Sequence, residues 1–179
     1  MKSLIVFILI CLSFNAFSEE CFDMIAGQNT VVGSVCVSND SENLYVNYST
    51  TGEWLLDEAH LFVGQSLSDM PQTKKGNPKI GNFPYKSEDL GVNYAEFTVP
   101  LSEIGNPACN SDLFVAAHAS VSKENGDGSV QQETSWSNGS RFVERGSWAM
   151  YSTYQLSCED DPDTGVGHVR QHLLKVTQL

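Results

Sequence analysis

The chain has 179 residues, and its 22 acidic residues outnumber 10 Lys and Arg, giving a formal net charge of −12 at pH 7. Such an excess of negative charge is repelled by nucleic-acid phosphates and by anionic lipid, which excludes a nucleic-acid-binding role. Calcium, cationic surfaces and basic partners remain compatible with this charge. The length suits one domain with its own hydrophobic core.

The N-terminus has the pattern of a secretory signal. After one lysine, the apolar run Leu4–Phe14 is too short to span a bilayer as a stable helix. Ala16 and Ser18 then place small residues at the −3 and −1 positions of a cleavage site. We therefore predict a signal peptide over residues 1–18, cleavage before Glu19, and a secreted, extracytoplasmic mature protein. No later apolar run is long enough to predict a transmembrane segment in the mature chain.

Four cysteines follow the predicted cleavage site, at Cys21, Cys36, Cys109 and Cys158. An even number in an exported chain predicts two disulfides, and none of the spacings resembles a zinc knuckle. We favour Cys21–Cys158 with Cys36–Cys109, because tying both ends together closes a very long loop, worth about 4–5 kcal/mol. The nearest alternative joins Cys21 to Cys36 and Cys109 to Cys158.

Apolar and polar side chains alternate along most of the mature chain, which is typical of strands that cover a core with one face. Clusters of Gly, Asn, Asp and Ser separate these segments and predict turns. The pattern predicts an all-β fold over residues 19–158, an antiparallel β-sandwich stapled by disulfides, with a β-barrel as the alternative. The predicted strands are Thr30–Val37, Leu44–Ser49, Glu58–Val63, Tyr94–Val99, Leu113–Val121 and Trp148–Leu156.

Two segments break this pattern. Residues 66–90 form a long, locally basic loop with three prolines, which is either a functional loop or a solvated one packed down by Phe83 and Tyr85. Residues 159–179 read as an acidic linker followed by a short tail with one apolar helical face. A helix this short is marginal alone, so we expect a frayed tail.

Two histidines and two carboxylates stand out as candidate site residues. Glu58 and His60 are two apart on one predicted strand, His118 lies in the middle of another, and Glu133 shortly precedes Trp136. If their strands are neighbours, the set could bind zinc or supply a general acid and base. The alternative, which we favour, is a hydrogen-bonded network that fixes the fold.

Five strings stand in order and resemble the signature of a domain family of secreted and surface proteins, with WxLxExHLxVG, NPxxGxFPYK, AAHA, ETxW and GxWATYF. The resemblance covers roughly residues 25–157, and the chain departs from it at Ser137 and Met150. It implies an extracellular domain, often found beside adhesion modules, and implies no reaction. The strings are Trp54–Gly64, Gly76–Lys86, Phe114–Ala119, Glu133–Trp136 and Arg141–Tyr151.

The sequence thus favours a secreted, non-enzymatic β-sandwich that binds an extracellular protein, a glycan or a surface, as in adhesion or matrix contact. The alternative is a small exported hydrolase that is metal-dependent or uses the Glu/His set. We expect no cofactor, with zinc at that set or calcium at the acidic turns of Asp40 and Asp127 as alternatives. The candidate binding residues are Glu58, His60, His118, Glu133 and Trp136.

Overall fold

The computed structural model describes residues 19–158, so the predicted signal peptide, acidic linker and tail lie outside the described residues. Ten β-strands and three short 3-10 turns make up the described chain. The turns are Leu67–Asp69, Ile80–Asn82 and Leu101–Ile104. The strands are β1 (Glu20–Ala26), β2 (Thr30–Asn39), β3 (Asn43–Thr50), β4 (Leu55–Gly64), β5 (Tyr85–Ser87), β6 (Tyr94–Pro100), β7 (Asp112–Glu124), β8 (Val130–Ser137), β9 (Ser140–Arg141) and β10 (Met150–Gln155).

The strands form one antiparallel sheet in the order β5-β4-β7-β8-β1-β2-β3-β6, with β10 paired to the start of β7 and to β9. The predicted all-β, antiparallel, disulfide-stapled fold is therefore confirmed. Because the strands belong to a single sheet that curls into a nearly closed barrel, the barrel alternative describes their arrangement more closely than two separate sheets. Among residues 19–158, no helix is long and apolar enough to cross a membrane.

The barrel has a seam between β5 and β6, the two ends of the strand order. A bridge between Leu56 and Val92 closes the seam at the end where β4 begins. At the other end, where β4 stops at Gly64, the 101–104 turn fills the gap. The side-chain nitrogen Nε2 of Gln65 donates a hydrogen bond of 2.9 Å to the carbonyl of Ile104 there. The seam is thus closed by backbone at one end and by a packed turn at the other.

Two hydrophobic clusters lie on opposite faces of the sheet. The inner cluster fills the barrel with alternate residues of the long strands other than β8, such as Val35, Leu61 and Val115, all essentially inaccessible. The outer cluster forms where the chain between β4 and β5 and the chain between β9 and β10 cover β4, β7 and β8. Its buried members are Phe62, Met70, Phe83, Ala116, Trp136 and Ala149. The second cluster therefore fixes two long connections to the outside of the barrel.

The two disulfides join Cys21 to Cys36 and Cys109 to Cys158. The pairing that we favoured from the sequence is wrong, and the alternative is correct. The physical reason is the hairpin of β1 and β2, in which Cys21 lies directly opposite Cys36. The second disulfide ties Cys158, three residues after β10, to Cys109 in the connection that precedes β7. The strand β10 already runs beside the start of β7, which brings the two cysteines close together.

Candidate functional site

His60 and His118 occupy directly opposite positions on β4 and β7, and Trp136 lies opposite His118 on β8. Residues paired in this way share one face of the sheet, here the outer face. The ring centres of the two histidines are 5.7 Å apart, and that of Trp136 is 4.9 Å from that of His118. All three side chains are at most 5% exposed. The structure therefore brings together three of the five candidate residues in a buried row.

The two carboxylates do not join this row. Glu58 lies opposite Ser120, on the same outer face as the histidines but exposed to solvent. Glu133 lies opposite Val121, whose side chain belongs to the inner cluster, so Glu133 is on the other face of the sheet. The expectation that all four residues lie close together is wrong for Glu133, because side chains alternate between faces and it is an odd number of residues from Trp136.

One ring nitrogen of each buried histidine takes no part in a hydrogen-bonded network. The Nδ1 atoms of both His60 and His118 are buried without a hydrogen-bond partner. The network that the sequence favoured is therefore absent at these atoms. A buried polar group left in this state costs about 1–3 kcal/mol, and such groups are uncommon enough in native proteins that each needs an explanation.

Burial lowers the pKa of both imidazoles. The pKa of His118 falls to about 3, first through loss of solvent and second through repulsion from His60. Burial also lowers the pKa of His60, an effect that the exposed Lys86 strengthens and the carboxylates of Glu58 and Glu88 oppose. Burial prevails at both residues, so both rings are neutral at pH 7.

The loop of residues 66–90 covers the outer face beside the histidines. The ring of Phe83 lies 6.4 Å from that of Trp136 and 6.2 Å from that of Phe62. Phe142, from the chain between β9 and β10, packs against another side of Trp136, with 6.2 Å between the two ring centres. Phe83 and Tyr85 thus hold the loop against the barrel, as the packed alternative for this loop requires, while its lysines remain exposed.

Zinc at the Glu/His set and calcium at the acidic turns were alternatives to the expectation of no cofactor, and the described residues can be compared with both. Among residues 19–158, no group of three or more potential His, Cys, Asp or Glu ligands includes either histidine, and zinc takes four ligands in structural sites. Glu19, Cys21 and Cys36 do lie close together, but both sulfurs form a disulfide. The carboxylate of Asp40 accepts hydrogen bonds from the hydroxyl of Tyr45 and from two backbone amides, and these bonds lower the pKa of its carboxyl and cap a turn.

A pocket of about 410 Å³ opens at the packed end of the seam, a feature the sequence did not predict. Aromatic and aliphatic side chains form its walls, and the exposed carboxylates of Asp69 and Glu103 stand among them. The hydroxyl of Tyr85 donates a hydrogen bond of 2.7 Å to Oε2 of Glu103. Burial, and secondly this carboxylate, raise the pKa of Tyr85, so the phenol stays protonated. The remaining lining residues are Phe62, Val63, Gly64, Gln65, Pro84 and Ile104.

The sequence also did not predict a hydrogen-bonded group of side chains around the buried Asn39. Its Oδ1 accepts hydrogen bonds from the hydroxyls of Tyr154 and Ser157, at 2.7 and 2.9 Å, and from the amide of Ser157. Its Nδ2 donates to the carbonyls of Asp40 and Ser157, at 2.8 Å each. Asn39 therefore fastens the end of β2 to the chain that follows β10. An asparagine inside a turn-rich sequence gives no signal of such a role.

Comparisons with protein-family models, with curated proteins and with solved structures found no match to this chain.

Proposed function

We propose that the protein is an exported, non-enzymatic binding module that contacts an extracellular surface or partner through the seam pocket. The observation that carries this proposal is the pocket itself, in which Asp69 and Glu103 stand among aromatic and aliphatic walls. Pockets of this volume, with a few polar groups on apolar walls, are the usual form of a binding site.

The chemistry of the lining favours a positively charged group on an apolar stem, such as a lysine or arginine side chain of a partner. Two carboxylates attract the charge, and the Tyr85 ring and Pro84 offer contact to the stem. The chain as a whole is strongly acidic, which increases the rate of encounter with a cationic partner.

The hydrolase alternative is less well supported by the geometry. A general acid and base must both reach one substrate. Glu133 faces the inside of the barrel while His60 and His118 are buried on the outside. The residues that match the resemblance serve instead, in this proposal, to seat the two long connections on the barrel.

Binding of an immobilised oligolysine peptide to the mature protein tests the proposal. We expect the pair Asp69→Asn and Glu103→Gln to weaken binding roughly tenfold, the equivalent of about 1.4 kcal/mol. The amide oxygen at position 103 can still accept from Tyr85, so the fold should be kept.

The matched control is the pair Glu53→Gln and Glu124→Gln, which removes the same charge at the opposite end of the barrel, where β4 begins and β7 ends. We expect it to bind as the unmodified protein does. If both pairs weaken binding equally, the peptide binds through the overall negative charge of the protein, and the proposal that it binds in the seam pocket is contradicted. Turnover of ester, peptide or glycoside substrates that depends on His60 would instead establish the hydrolase.

A further inference from the structure

We propose that His60 and His118 form a two-coordinate site for monovalent copper on the outer face of the barrel. The site is independent of the seam pocket and rests on different residues. It accounts for two buried imidazoles that face each other across a strand pair with their Nδ1 atoms unpartnered.

The spacing of the rings fits one shared ion. With a metal–nitrogen distance of about 2.0 Å and a further ~1.2 Å to the ring centre, an ion bound in the plane of both rings holds their centres at most about 6.4 Å apart. The observed separation of His60 and His118 is 5.7 Å. Two-coordinate Cu(I) prefers a near-linear arrangement, so a single ion can bind both nitrogens once the rings move apart by about 0.7 Å.

The choice of ion follows from the ligand set. Among the described residues, no third histidine, cysteine or carboxylate ligand joins the two imidazoles, and two ligands are too few for zinc or calcium. Imidazole is a good ligand for copper. The neighbouring side chains of Phe62, Ala116 and Trp136 are apolar and buried. Such surroundings penalise a divalent ion more than a monovalent one, because the free-energy cost of burying an ion rises steeply with the magnitude of its charge.

The charges around the pair suit the entry of a cation from the side of His60. Glu58 and Glu88 are exposed and close enough to act on this histidine, with Lys86 as the opposing charge. Binding involves no change of oxidation state, because copper enters and stays as Cu(I).

Anaerobic titration of the mature protein with Cu(I), in competition with bicinchoninate, tests the site. The titration uses a His168→Gln and His172→Gln background, so that the two histidines of the tail cannot contribute. We expect one equivalent per chain, with quenching of the Trp136 emission. Either His60→Gln or His118→Gln should weaken binding more than about 100-fold, above the 10–100-fold that loss of an outer-shell partner costs.

Two further variants keep the test decisive. Trp136→Phe should retain the copper and lose the quenching, which places the ion beside this indole. If His118→Gln fails to fold, the loss of Cu(I) binding in His60→Gln is by itself the test. Binding that is absent, or that both histidine variants leave unchanged, would overturn the site. Equally tight binding of Zn(II) would overturn its assignment to monovalent copper.

Discussion

Two groups of buried polar side chains differ in how far their hydrogen-bonding capacity is used. Asn39 makes five hydrogen bonds with its neighbours and fastens β2 to the end of the chain after β10. His60 and His118 are equally buried, yet each has an Nδ1 atom without a partner. The first group is explained by stability alone. The second imposes a cost on the fold, which is the usual mark of a group kept for another purpose.

Removal of the Asn39 side chain should have the largest effect. Asn39→Ala deletes five hydrogen bonds, including those from Tyr154 and Ser157, so we expect a loss of about 3 kcal/mol or more in the free energy of unfolding. Urea denaturation measures it. The control is Asn82→Ala at an exposed site. A loss below ~1 kcal/mol at Asn39 would remove the distinction between the two groups.

Acid should destabilise the protein through the histidine pair. The pKa of His118 is lowered to about 3 in the folded chain, whereas an unfolded histidine titrates near 6.5. Between these values the unfolded chain binds more protons, so stability is lost as the pH falls below about 6.5. One such group accounts for about 2 kcal/mol between pH 6.5 and 5.

His118→Leu tests the origin of this acid sensitivity. Most of the loss between pH 6.5 and 5 should disappear in the variant, while carboxylates, which titrate lower, behave alike in both proteins. Unfolding free energies at several pH values supply the comparison. An unmodified protein whose stability is flat over this window would show that the imidazole is not held neutral by burial.

The smallest effect is expected from the same substitution at pH 8. There His118→Leu removes a buried Nδ1 without a partner, which stabilises the fold, and also removes the ring contact with Trp136, which destabilises it. The two effects oppose each other, so the free energy of unfolding should change by less than about 1 kcal/mol. Tyr154→Phe is the matched comparison, because it removes a hydroxyl bonded to Asn39 and should cost more. If His118→Leu proves the more damaging of the two, the histidine pair serves the fold in the way the sequence first indicated.

How much could be read from the sequence differs between strands. The six strands with a regular apolar face were predicted near their observed positions, but β8 was not, because its inward positions carry Gln131, Glu133 and Ser135 rather than apolar residues. The hairpin of β1 and β2 was also missed, and with it the Cys21–Cys36 pairing.

The candidate site shows the same limit. Period-two spacing correctly placed Glu58 and His60 on one face, but the face of Glu133 depends on the register of β8 with β7. The seam pocket arises from residues far apart in the chain, Gly64, Tyr85 and Glu103, which no local pattern connects. Features made by tertiary register were thus out of reach, whereas those made by alternation were not.

The contrast between the two buried groups depends most directly on the protonation state of His118, which nuclear magnetic resonance of its ring nitrogens can follow from pH 8 to about pH 2. The structure predicts a neutral imidazole down to about pH 4, with a midpoint near 3. A midpoint close to 6.5 would contradict the account, because it would show that the ring meets solvent or a partner that stabilises its charge.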